Sequence, residues 1–157
     1  MPLRVALFAS KVSPISKLIE WETRSKYSHA AIVQTDGSVI EAVEGEGVHR
    51  LSRLPDVSYP DRIDLFDVRG PYGGLNDTQT AHIEAFLGRQ LGLPYDWPDL
   101  IGFVTRSGNA EVRGAWFCSE LVFAAIEAGG VTLLRDIPPF QVSPGILSLS
   151  PYLVPVS

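Results

Sequence analysis

The chain has 157 residues, 45% of them hydrophobic and 20% charged, which excludes a largely disordered polypeptide and fits one domain, residues 1–157, with enough apolar side chains for a core. A net charge of −5, with no run of Lys and Arg, excludes nucleic acid as an expected partner and argues against docking on an anionic membrane. The single cysteine excludes an intrachain disulfide and a cysteine-only metal site.

The opening MPLRVALFAS holds too short an apolar stretch for a signal-peptide core, and no segment reaches the ~18 apolar residues of a membrane helix. The expectation is a cytoplasmic chain without a transmembrane segment. Leu3 to Ala9 is an apolar, β-branched run that reads as a buried strand. Ser13-Pro14 then sets up a short helix from Ile15 to Arg24, Pro14 standing near the first helical position. Ser28 to Gln34 and Val39 to Val43 are β-prone runs separated by a turn containing Asp36-Gly37, a strong hairpin signal. Val48 to Leu51 and Arg62 to Val68 read as further strands, with Leu54 to Pro60 and Gly70 to Gly74 as loops.

Asn76 or Asp77 can cap a helix from Thr78 to Leu91, which Gly92 would stop. Pro94 to Pro98 is a turn, Asp99 to Thr105 a short helix, and Ser107 to Gly114 an exposed loop. Phe117 opens a helix to Ala128 that Gly129-Gly130 ends, and the proline-rich tail from Ile137 reads as irregular. Strands first, then a helix, then a helix carrying the cysteine predict an α+β fold with an antiparallel sheet packed against helices.

On periodicity alone Cys118 extends the apolar face of Leu121, Val122, Ala125 and Ile126, and reads as a core residue. Its position at the start of a helix points the other way. The first turn offers unpaired N–H groups and a partial positive charge, which favour a thiolate and can hold the oxyanion formed when it attacks a carbonyl. Such a nucleophile needs an imidazole. Of the three histidines, His82 lies mid-helix, His49 follows a glycine-rich turn and reads as surface, and His29 begins a strand, at the edge of a site.

Zinc is a poor fit to Cys118 and His29, since single ligands without a short-spaced pair make a weak signature. Gly70 to Gly74 lacks the lysine and spacing of a phosphate loop. Neither a metal nor a cofactor is expected.

The segments YSHAAIV, DGSVIEA, LGLPYDW and WFCSELV, in that order, resemble the papain-like NlpC superfamily of cysteine peptidases and amidases. The histidine hairpin precedes the cysteine helix, the reverse of the usual order, and is similar to the circularly permuted, YiiX-like branch. The resemblance spans most of residues 27–129 and implies a permuted papain-like fold. It implies Cys118 as nucleophile, His29 as base, Glu41 as the residue orienting the imidazole, and Tyr95 beside the nucleophile. Ser119 and Trp116, flanking that nucleophile, are further candidates for oxyanion or substrate contacts.

Hairpin arithmetic leaves the orienting residue open. A two-residue Asp36-Gly37 turn sets His29 opposite Glu44 and sends Glu41, opposite Ile32, to the other face. A three-residue loop restores Glu41 to the His29 face but opposite Val33, out of reach. Glu44 is therefore the alternative to Glu41.

The resemblance implies a thiol hydrolase, a peptidase or amidase acting on an amide, ester or thioester through an acyl-enzyme, with a peptide or small acyl compound of bacterial origin as substrate. The alternative is a papain-like module without turnover, serving binding or assembly in a bacterial or phage particle. The rate and pH dependence of cysteine alkylation discriminate the two.

Overall fold

An apolar run with side chains suited to both faces of a sheet belongs at its centre, and Arg4–Ala9 (β1) takes that place, with Val5, Ala6 and Leu7 fully buried. The computed structural model describes residues 1–9, 25–43, 45–57, 61–93, 117–137 and 142–156. The helix expected from Ile15 to Arg24, the turn and short helix expected between Pro94 and Thr105, and the loop expected from Ser107 to Gly114 lie outside them, as do Glu44, Tyr95 and Trp116.

His29–Val33 (β2), Val39–Val43 (β3) and Gly47–Leu51 (β4) extend the sheet on one side of β1. Arg62–Gly70 (β5) lies on its other side and pairs outward with Gly73–Gly74 (β6) and Leu153–Pro155 (β7). The order is β4-β3-β2-β1-β5-β6, with β7 also on β5, and every pairing is antiparallel. The architecture is thus α+β with an antiparallel sheet. Asp77–Gln90 (α1), Phe117–Ala128 (α2) and the single turn Pro144–Leu147 (α3) complete the described elements. None of these helices is long and apolar enough to cross a membrane.

Two corrections fall on segments expected to be loop. Gly70 to Gly74 folds back as a tight hairpin, Gly73 taking φ +118°. The C-terminal tail contains α3, started by Ser143 as cap with Pro144 inside the first turn, and β7, which completes the edge of β5. Elements this short show no periodicity, and their support is distant: the Ser150 hydroxyl donates to the Leu133 carbonyl and Tyr152 O accepts from Arg69 N.

The larger core cluster joins Val5 and Leu7, Ala30 and Ile32, Ile40 and Ala42, and Val48 to Leu121, Val122, Ala125 and Ile126 of α2 and to Ile83 and Leu87 of α1. A smaller cluster on the opposite face unites Ala6, Ala31, Val33 and Val39. Helix α1 begins with a reciprocal capping box between Asn76 and Gln79, the choice of Asn76 over Asp77 being settled by the side chain that accepts from Gln79 N. Helix α2 ends in a Schellman motif: Gly130, at φ +77°, donates to Glu127 O, and Val131 N donates to Ile126 O.

Gly129, one residue earlier, is where α2 meets α1. A Cβ there would stand 2.6 Å from Ile83 Cγ1 and 3.1 Å from Gln79 O. Ile83 is fully buried, so it has no open space to retreat into. Gly129→Ala is therefore expected to destabilise the fold by about 1–3 kcal/mol, the range for overpacking a tight core, as read by urea unfolding. A stability equal to wild type would show that the α1–α2 contact is looser than described.

Candidate active site

The register of the β2–β3 hairpin decides which side chains share a face. Its loop is Thr35-Asp36-Gly37: Gln34 N donates to Ser38 O, and Gly37 N donates to Gln34 O. Gly37 takes φ +87°, the left-handed position that closes such a three-residue connection. Asp36 Oδ1 accepts from both Ser38 N and Ser38 Oγ, and Glu84 Oε1 on α1 accepts from Thr35 N and Oγ1. Val33 then pairs with Val39 and Ile32 with Ile40.

This corrects both hairpin registers expected from the sequence. The loop has three residues but starts at Thr35, one residue before Asp36. Continued along the strands, the register sets Glu41 across from Ala31 and diagonal to His29, on the same face. The diagonal is within reach of long side chains, and His29 Nε2 lies 2.6 Å from Glu41 Oε2.

The entry into β2 is pinned. Ser28 N donates to Phe8 O at 2.9 Å, and Tyr27, buried, donates its hydroxyl to Asp64 at 2.6 Å. Asp64 is itself paired with Lys26 and Arg62. His29 stands opposite Phe8, whose ring meets the imidazole edge-on at a centroid distance of 5.1 Å. The edge-on ring contact and the carboxylate together leave the imidazole little freedom.

Cys118 lies in the first turn of α2, 5% exposed and part of the larger core cluster. It is therefore both the core residue that periodicity suggests and a helix-start thiol. Its side chain faces His29 closely enough to hydrogen-bond. Because Glu41 occupies Nε2, Nδ1 is the ring nitrogen left for the sulfur. The meeting is made at the first residue of β2, since His29 otherwise shares the parity of Ala31 and Val33, on the face away from α2.

Burial of the ring disfavours a charged imidazole. The neighbouring Cys118 and the Glu41 carboxylate outweigh it, and hold His29 well above its ordinary 6.5, at about 10. Burial likewise opposes the charge of Glu41, which is 8% exposed, but the imidazoles of His29 and His49 prevail and keep its carboxyl below the ordinary 4.5.

His49, expected at the surface, is instead drawn into this group. It stands directly opposite Glu41 on β4, and its Nε2 lies 2.9 Å from Glu41 Oε1, with the side chain only 25% exposed. Counting across the second hairpin, where Val43 pairs with Gly47, would have placed it there. The Ser119 hydroxyl is buried and donates to the Val142 carbonyl, tying α2 to the tail, which leaves its backbone N–H as the group that could meet an oxyanion. His82, by contrast, is exposed on α1.

These features define an α+β protein with a thiol, an imidazole and a carboxylate gathered where β2 meets the cysteine helix. The crystal structure of metalloprotein yiiX from Escherichia coli O157:H7 is similar to it, with a TM-score of 0.64 and 19% identity over 100% of this chain and 96% of that one. A likeness at that identity establishes the fold. No family model matches the chain, and no curated protein matches it significantly.

That neighbour is called a metalloprotein; among the described residues here, no group of three or more His, Cys, Asp or Glu side chains could hold a metal ion. Ligands of a tetrahedral zinc, each about 2.0–2.2 Å from the ion, stand roughly 3.3 Å apart. Glu41 instead sits at 2.6 and 2.9 Å from its two imidazole nitrogens, the spacing of hydrogen bonds.

The two shifts set a pH window for the His29–Glu41 pair. His29 gains proton affinity on folding, so its share of stability is full below pH 6.5 and is lost as pH rises toward 10. Glu41 loses proton affinity, so its share is full above pH 4.5 and is lost on acidification. Glu41→Gln is expected to destabilise the protein by about 1.5–3 kcal/mol, the range for a hydrogen bond to a charged group, near pH 6, and by less at pH 3 or 10. Urea unfolding of both proteins across pH checks this; a difference that does not vary with pH would mean the pair is not ionic.

Proposed function

We propose that the protein is a thiol hydrolase or acyltransferase of the permuted papain-like kind, in which Cys118 attacks a carbonyl and His29, oriented by Glu41, manages the proton. The observation that carries this reading is the placement of His29 between the Cys118 thiol and a buried carboxylate 2.6 Å away. One hairpin supplies two of these groups and a helix remote in sequence the third, and burying a carboxylate beside an imidazole without a use for it is costly.

With His29 protonated, the resting state is a thiolate–imidazolium pair. The sulfur attacks the carbonyl carbon of an amide, ester or thioester. Charge moves to the carbonyl oxygen, where first-turn N–H groups of α2 can receive it. Collapse expels the leaving group, which takes its proton from His29, and an acyl-Cys118 thioester remains. Neutral His29 then accepts a proton from water as its oxygen attacks the thioester, releasing the acid and restoring the thiolate. Glu41 keeps the ring oriented and supports its positive charge; it stays ionised throughout.

The likeness to yiiX and the ordered NlpC-type motifs support the permuted papain-like assignment, and a peptide or small acyl compound is the substrate class the motifs imply. The rival reading, a binding module without turnover, predicts an ordinary thiol. Because Cys118 is the one cysteine, the mass gained with iodoacetamide reports on it alone. An activated site alkylates fast at pH 6, well below the ~8.5 of a free thiol, and His29→Ala removes that fast reaction. A rate that climbs only near pH 8.5, alike in both proteins, would refute the ion pair.

A further inference from the structure

We propose that His49 is a positioning residue of this site, holding the second oxygen of Glu41 so that the first stays on His29. The inference rests on the reading just given and extends it from three residues to four. A glutamate carboxylate turns freely about its last torsion, whose rotamers are broad. One hydrogen bond to His29 would leave it free to swing; a donor on each oxygen fixes its plane. The donors are here: His29 Nε2 at 2.6 Å from Oε2, and His49 Nε2 at 2.9 Å from Oε1.

The chain puts His49 in that position by register. β3 and β4 pair Val43 with Gly47, Ala42 with Val48 and Glu41 with His49, so the last two residues stand directly opposed on one face. The turn between them depends on Gly45 and Gly47, both at positive φ, +81° and +78°. The outer edge of β4 is held as well: Gly92 N donates to Val48 O and Val48 N donates to Leu93 O. The strand carrying His49 is therefore clamped from both sides next to the residue in question.

The tautomer follows from the partners. An ionised carboxylate only accepts, so Nε2 of His49 carries the hydrogen. Nδ1 is buried and makes no hydrogen bond, although Glu46 Oε2 lies 3.2 Å away. Glu41 is thus the group that determines how this ring sits, and the ring in turn determines how Glu41 sits. A histidine that merely filled space would not aim its donor at the oxygen His29 leaves free.

The test uses the full chain and its lone cysteine, with alkylation by iodoacetamide at pH 6 read by intact mass. Glu41→Gln and His49→Phe are each expected to slow alkylation roughly tenfold, the effect of about one pK unit in the ion pair. His49→Gln, whose amide N–H reaches where Nε2 sits, recovers most of the loss. The Glu41→Gln/His49→Phe double variant is no slower than Glu41→Gln alone.

Wild-type alkylation in His49→Phe, with Glu41→Gln slow, overturns the role of His49 and leaves the triad standing. Equal slowing in His49→Phe and His49→Gln, matched by equal loss of melting temperature, assigns His49 a structural role and also overturns it. Wild-type alkylation in Glu41→Gln sinks the triad and this inference together. Should His49→Phe not fold, nitrogen NMR of the wild-type histidines decides: a His49 proton on Nε2 in a hydrogen bond supports the proposal, and a proton on Nδ1 with bare Nε2 overturns it.

Discussion

A carboxylate inside a sheet must be paired or give up its charge, because the interior penalises an isolated ion by several kcal/mol. Glu41, at 8% exposure, meets that demand with two imidazoles, one per oxygen. Everything at the site follows from that solution. The carboxylate favours a proton on His29, and the protonated imidazole in turn supports the charge of the carboxylate.

Register is the means by which the chain achieves this. The residues that fix it are not the ones that carry the chemistry. The Thr35 to Gly37 loop, held by Asp36 within the hairpin and by Glu84 from α1, sets β2 against β3. A slip of one residue would send Glu41 to the opposite face, beside Ala30 and Ile32 of the core. The glycine turn before β4 aligns His49 by the same logic. The helix contributes separately: its first turn brings Cys118 to the end of β2, and the buried hydroxyl of Ser119 anchors that turn to Val142.

Much of this was legible in the sequence where the signal is local. The apolar run of β1, the Asp-Gly turn, the Asn76 cap and the glycines after Ala128 each announce an element through backbone chemistry that acts within a few residues. The strands, the two longer helices and the antiparallel α+β class follow from them. What was not legible depends on distant partners. The loop begins at Thr35 rather than Asp36 because Gln34 pairs with Ser38 and Glu84 reaches over from α1, which no turn rule contains. The burial of His49 was not legible because its partner stands eight positions back, on the neighbouring strand. The anchoring of the Ser119 hydroxyl was not legible because Val142, which accepts from it, lies 23 residues on. The tail read as irregular since α3 and β7 are too short to show a period.

The likeness to yiiX, with 19% identity, extends over 100% of this chain, so two widely different sequences share this fold. Fold alone does not fix chemistry, and the account therefore stands on whether Cys118 can be acylated with the help of His29. Intact mass spectrometry of the protein mixed with a panel of activated esters and acyl thioesters measures this directly. The account predicts a single acyl adduct on Cys118, formed faster than on a free thiol at the same pH and largely lost in His29→Ala. Acylation no faster than that of a free thiol, or undiminished in His29→Ala, would contradict it.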